Sequence, residues 1–134
     1  MATNEEQRHR MIERLVGRPA AAPLDACVAL WQGLAAQLSA IIGQGGFDSL
    51  YNRSAHLARQ TRPWLAPSAG RDFSALRDSL AQQDAQQAGE ACSALLIFFT
   101  DTLILLIGEL LMTSILRAAW GDDAVNTAGK EPQP

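Results

Sequence analysis

The chain has little of what enzymes use for chemistry. Among its 134 residues are only two cysteines and two histidines. It has no CxxC pair and no Gly-x-Ser-x-Gly nucleophile motif. Cys27 and Cys92 stand alone on predicted apolar helix faces, where we expect small buried side chains and not a metal site or a redox pair. The sequence therefore predicts a protein that is not an enzyme and has no metal site and no cofactor.

Basic charge is also scarce. The net charge is −3, the sequence pI is about 5.2, and Lys130 is the single lysine. Residues 52–77 carry a net charge of +4, whereas residues 78–134 carry −6. Binding to nucleic acid needs a concentrated basic face on a domain of high pI, so this balance argues against it. Opposite charges on two parts of one chain suit contact between those parts or between two subunits.

The composition and the spacing of apolar residues both favour α-helices. Ala, Leu, Arg and Gln are frequent, and no long run alternates β-branched with polar residues. Apolar residues at intervals of three and four predict five helices; they cover residues 4–16, 24–42, 47–62, 73–82 and 84–120. We expect an all-α bundle of four or five helices in one domain, residues 1–121, and we expect no internal repeat. Residues 1–20 form an N-terminal arm with a short helix, and residues 122–134 a disordered polar tail.

The predicted last helix contains a long, highly apolar segment, residues 94–116. It is apolar around nearly its whole circumference, which is typical either of a helix at the centre of a bundle or of a membrane span. Asp101 and Glu109 interrupt it, and no neutral run within it reaches the ~18 residues that a span requires. We therefore expect protein to enclose it, from the same chain or from a second copy. The N-terminus has no apolar core of a signal peptide, so we expect a cytoplasmic protein.

Asp101 and Glu109 are the main candidate site residues. They are eight positions apart on the predicted helix and therefore do not converge on one point. We expect each carboxylate to pair with an arginine or a backbone donor, inside the bundle or across a subunit contact, because an unpaired buried carboxylate costs several kcal/mol; the available arginines are Arg53, Arg59, Arg62 and Arg117. The alternative is that Asp101 lines a polar pocket and binds a small ligand.

Two further groups of residues are candidates for binding. Arg53, His56 and Gln60 form a polar ridge on the third predicted helix, which is either solvated or meets an acidic partner surface. Trp31, Phe98 and Trp120 are core aromatics or line a ligand cavity, and we expect Trp120 to be the most exposed of them. His9 lies in a charged N-terminal arm and receives no role.

Three functions remain open on this sequence. The leading hypothesis is a bacterial, non-enzymatic interaction or regulatory module that forms homodimers and docks a partner protein. The second is a small-molecule sensor with a pocket near Asp101, Trp31 and Phe98. The third is a membrane-associated protein whose segment 94–116 inserts into the bilayer.

Overall fold

The computed structural model describes residues 4–16, 23–68 and 73–121, and within these ranges it contains helices and no strand. The all-α bundle is confirmed. Its helices are α1 (Asn4–Val16), α2 (Pro23–Arg59), α3 (Ser74–Ala81), α4 (Ala85–Ile107) and α5 (Glu109–Trp120). The predicted tail, residues 122–134, lies outside the described residues.

Helix α2 is bent back on itself at Gly43, whose φ of 80° and ψ of 163° are not helical. The rings of Trp31 and Tyr51 are 4.9 Å apart, although twenty residues of straight helix would separate them by about 30 Å. Residues 23–42 and 44–59 are therefore two antiparallel arms, which we call the first and second arms of α2. The predicted turn is confirmed at Gly43, whereas the next two glycines belong to the second arm.

A second bend lies at Gly108, with φ 86° and ψ 166°. We expected one helix from residue 84 to residue 120; instead the helix is interrupted at Gly108, where the chain reverses. Helix α5 then runs back along the first arm of α2, because a Cβ atom on Gly33 would stand 2.6 Å from the carbonyl oxygen of Ala119. Only a glycine at position 33 permits this close approach.

A disulfide joins Cys27 to Cys92 and ties the first arm of α2 to α4. Our expectation of two separate buried side chains was wrong in this respect, although both residues are indeed buried, with 1% and 0% exposure. Trp31 and Phe99 follow the two cysteines along these helices and also contact each other, with ring centroids 5.1 Å apart. The first arm of α2 and α4 therefore run in the same direction.

The bundle consists of two similar halves, which corrects our expectation that no repeat is present. The cysteines are 65 residues apart, and the same separation relates Gly43 to Gly108 and the C-terminal residues of α1 and α3. Each half is a short helix followed by a helical hairpin that reverses at a glycine. Identical buried or half-buried pairs at this separation are Leu30 and Leu95, Leu38 and Leu103, and Ile42 and Ile107. Few other positions match, so the repeat is hard to recognise in the sequence.

Helices of one half of the bundle pack on helices of the other half. Helix α1 packs mainly on α4, α3 packs on both α2 and α4, and α5 packs on the first arm of α2. The second arm of α2 in turn reaches α4 through Phe47 and Phe99, whose rings are 5.3 Å apart. Each bend follows its cysteine by sixteen residues, or about 24 Å of helix. Both bends therefore lie at the same end of the bundle.

Aromatic rings fill the middle of the bundle. The ring of Trp31 contacts those of Phe47, Tyr51, Phe73 and Phe99, Tyr51 also contacts Phe47 and Phe73, and all five side chains are buried. Burial raises the pKa of Tyr51 far above its usual value, so its phenol stays neutral. Phe73 has a φ of 61°, a left-handed conformation that is rare for a side chain of this size.

Candidate interaction site at the second hairpin bend

Four leucines at the second bend are exposed to solvent. The exposed fractions are 85% for Leu105, 67% for Leu106, 90% for Leu110 and 42% for Leu111. We call these four residues the leucine tip. The apolar segment 94–116 is largely buried as far as Leu103 and is buried again at Met112, Ile115 and Leu116. Of the two covers that we expected, the same chain or a second copy, the same chain does not extend over the leucine tip. The reason is the bend at Gly108, which carries both flanking turns past the end of the core.

The first hairpin makes an equivalent bend with small side chains. At a separation of 65 residues, the counterparts of the leucine tip are Ala40, Ile41, Gly45 and Gly46. Of these only Ile41 is large, and it is 51% exposed. The bend therefore does not require bulky side chains, and the leucines add an apolar surface that this architecture does not need. Exposed apolar patches on helical proteins commonly mark binding surfaces.

A charged cluster lies beside the leucine tip and joins α1 to α4 and α5. Arg8 Nη2 donates a hydrogen bond to Asp101 Oδ1 over 2.8 Å, and Arg8 Nη1 lies 3.7 Å from Glu109 Oε1. His9 Nε2 donates to the same Asp101 carboxylate, at 2.9 and 3.1 Å from its two oxygens. We call these four residues the Arg8 clamp.

Arg8 occupies the centre of this cluster. Its side chain is 8% exposed, whereas those of Asp101 and Glu109 are 31% and 50% exposed. Its Nε atom is buried without a hydrogen-bond partner. A guanidinium in such a place is stabilised chiefly by its two carboxylates, because removing the charge partners of a buried ion is strongly unfavourable.

The clamp differs from the arrangement that the sequence predicts. The arginine that holds Asp101 is Arg8, not one of the four arginines we considered, and His9, to which we gave no role, is its second partner. The two carboxylates also meet at one guanidinium, since the bend at Gly108 cancels the helical rotation that would have kept them apart. Arg8 could have been suspected because it lies three and four positions before Met11 and Ile12, on the same face of α1 as the apolar stripe.

The clamp joins α1 of the first half to α4 and α5 of the second half, and like the leucine tip it has no equivalent at the first bend. At the 65-residue separation, Ala36 and Gln44 are the counterparts of Asp101 and Glu109, and Phe73 is the counterpart of Arg8. The leucine tip and the clamp, neither of which has an equivalent at the first bend, thus lie side by side at the second bend. Since the shared features explain the fold, we regard this unshared surface as the candidate functional site.

The other predicted site residues lie elsewhere. Arg53, His56 and Gln60 are exposed on or just after the second arm of α2. Trp31 is buried among the core rings, and Phe98 is half-buried. Trp120 is half-buried and packs against the core, where its Nε1 donates to the carbonyl oxygen of Leu30 over 2.9 Å. It is thus more constrained than we expected.

A cleft of about 540 Å³ opens between α1 and the first turns of α4. Its floor includes Val16, Gly89 and Ile97, and its rim carries Glu13 and Glu90. Asp101, Trp31 and Phe98 do not line it. The described ranges also hold no group of three or more His, Cys, Asp or Glu side chains placed to bind a metal ion.

Comparison of the chain with protein-family models, with curated proteins and with solved structures finds no match.

Proposed function

We propose that this protein is a non-enzymatic helical interaction module that forms a homodimer by burying the leucine tip against a second copy. The observation that carries the proposal is the exposure of Leu105, Leu106 and Leu110, at 85%, 67% and 90%, at a bend that the first hairpin builds with small residues. The dimer would be the form that docks a partner protein.

The size of the leucine tip is adequate for self-association. Complete burial of an aliphatic side chain contributes about 1.5–3 kcal/mol, so four leucines at the observed exposures contribute on the order of 4–8 kcal/mol per copy. A symmetric dimer buries the same surface on both copies. Association of two proteins costs roughly 4–15 kcal/mol in lost translational and rotational freedom, which the two tips together can offset.

The charge of the surface favours a second copy. The segment from residue 26 to residue 47, which includes the first bend, contains no charged residue, and the charge on the second bend is that of Glu109, which lies 3.7 Å from Arg8. Two chains with a net charge of −3 can therefore meet at this end without strong repulsion. The cores of protein interfaces are likewise depleted of charge.

A lipid bilayer is the second candidate for the surface that covers the leucine tip. Residues 25–59 and helix α4 are long and apolar enough to cross a membrane by length and composition. The first of these is bent at Gly43, however, and so is not one straight span. Segments 39–46 and 102–114 contain none of the Trp, Tyr, Lys and Arg residues that commonly anchor proteins at the membrane interface. We therefore favour protein as the occupant.

Sedimentation velocity over a series of concentrations tests the proposal. The wild-type chain should form a dimer, and Leu105→Ala/Leu110→Ala should weaken it by about 10³-fold or more. Each truncation removes about 1–2 kcal/mol, and a symmetric dimer contains four truncated side chains.

Ile41→Ala is the matched control, because Ile41 is the exposed apolar residue of the first hairpin. It should change the dissociation constant much less than the leucine variant does. A wild-type chain that stays monomeric at about 100 µM, where even weak dimers with a free energy near −5 kcal/mol are populated, would refute the proposal. Binding of the monomer to phosphatidylcholine vesicles would instead support the membrane candidate.

A further inference from the structure

We infer that helix α1 controls this assembly through Arg8, which acts as a positioning residue that neutralises the docking surface. The inference rests on the proposed homodimer and concerns how the formation of that dimer is regulated. Arg8 contacts Asp101 and Glu109, and Glu109 directly precedes Leu110 of the leucine tip. The residue that balances the charge of the docking surface is thus supplied by a different helix.

Symmetry explains why this charge balance matters. In a two-fold dimer the same patch faces itself, so every uncompensated carboxylate on it is present twice at close range. Like charges brought together across an interface are strongly unfavourable. With Arg8 in place, each copy presents leucines and a compensated Glu109. Without the guanidinium, each copy presents the same leucines with an additional negative charge.

Helix α1 is suited to be a separable element. It has 13 residues, which is near the lower limit for an isolated helix to be stable in water. Its attachment to the bundle includes the clamp, through Arg8 and His9, and an apolar stripe made of Met11, Ile12, Leu15 and Val16. Any event that releases α1 from α4 removes Arg8 from both carboxylates at once. Dimer formation and the docking of α1 are therefore coupled.

The test compares dimer dissociation constants of four variants by sedimentation velocity. Arg8→Gln should weaken the dimer by about tenfold or more, whereas Arg8→Lys, which keeps the positive charge, should stay within about threefold of wild type. The double variant Arg8→Gln/Glu109→Gln removes one charge of each sign and should recover most of the lost affinity. Arg77→Gln is the matched control, because Arg77 forms an ion pair of the same length, 2.8 Å, with Asp25, which is not part of the leucine tip.

Thermal unfolding of each variant shows whether it is folded before its assembly is measured. If Arg8→Gln does not fold, Glu109→Lys in the wild-type background replaces it: the added positive charge beside Arg8 should weaken the dimer by a similar factor. A wild-type dimer that Arg8→Gln leaves unchanged overturns this inference while the proposed function stands. A monomeric wild type overturns the proposed function itself. Failure of Glu109→Gln to rescue Arg8→Gln also overturns the inference, because the effect of Arg8 would then not act through charge.

Discussion

Removal of the disulfide between Cys27 and Cys92 should cost this bundle a large part of its stability. The bond closes a loop of 65 residues, and the chain-entropy relation for a loop of this length gives about 4 kcal/mol. Domains of ordinary stability unfold with about 5–15 kcal/mol, so the bond supplies a substantial fraction. The perturbation is the double variant Cys27→Ala/Cys92→Ala, which leaves no free thiol.

A second contribution comes from packing and can be separated from the first. Both cysteines are at most 1% exposed, so each alanine leaves a space about the size of a sulfur atom, at a cost of roughly 1 kcal/mol. Wild-type protein reduced with dithiothreitol loses the bond but keeps both sulfur atoms. We expect the free energy of unfolding to be highest for oxidised wild type and about 4 kcal/mol lower for reduced wild type. For the double variant it should be about 1–2 kcal/mol below that of reduced wild type.

Urea unfolding measured by circular dichroism is the assay. At a slope near 2 kcal/mol per molar urea, the loss of the bond moves the midpoint down by about 2 M. A thiol titration of unfolded, unreduced protein should find no free thiol. Two free thiols in that sample, or oxidised and reduced proteins that agree within about 1 kcal/mol, would refute the reasoning. The same titration on protein taken from its native cell bears on the expected cytoplasmic location, since disulfides persist mainly in oxidising compartments.

Glycine substitutions test the two bends and the close approach of α5. Gly33→Ala should destabilise the bundle by about 1–3 kcal/mol, because its Cβ would stand 2.6 Å from the backbone oxygen of Ala119. Gly45→Ala, with open space around its Cβ, should instead stabilise the second arm by about 0.5–1 kcal/mol. Gly108→Ala should cost about 1–3 kcal/mol, because its φ of 86° and ψ of 166° belong to a region that glycine alone occupies freely. Chemical denaturation of each variant measures these changes, and a neutral Gly108→Ala would show that the bend tolerates a side chain.

The sequence predicts most of the helices because their apolar residues repeat at intervals of three and four. It also predicts the reversal at Gly43, where other glycines follow closely. The bend at Gly108 is not predictable in the same way, since the leucines on both sides continue the helical pattern without a break. A single glycine within such a run is compatible with an uninterrupted helix. Only the position of Gly108 relative to Gly43, one repeat length earlier, hints at the second bend.

The candidate site is predictable in part. The carboxylate of Asp101 in an apolar run calls for a positively charged partner, and this need is visible in the sequence. The identity of the partner is not, because Arg8 is 93 residues away and reaches Asp101 only through the packing of α1 on α4. The disulfide was not predicted for the same reason, because Cys27 and Cys92 are 65 residues apart and meet only where two helices pack together. Spacing along the chain describes neighbours on one helix and carries little information about contacts between distant helices.

The packing of each half on the other has a consequence for how the protein unfolds. Helix α1 packs mainly on α4, and α2 packs extensively on α4 and α5, so neither half contains a complete core of its own. Separate calorimetric transitions for the two halves are therefore not expected; the whole chain should lose its structure in one cooperative step. The contacts that join the two halves connect residues far apart in sequence, and we expect them to slow refolding compared with simple helical bundles, whose contacts are local.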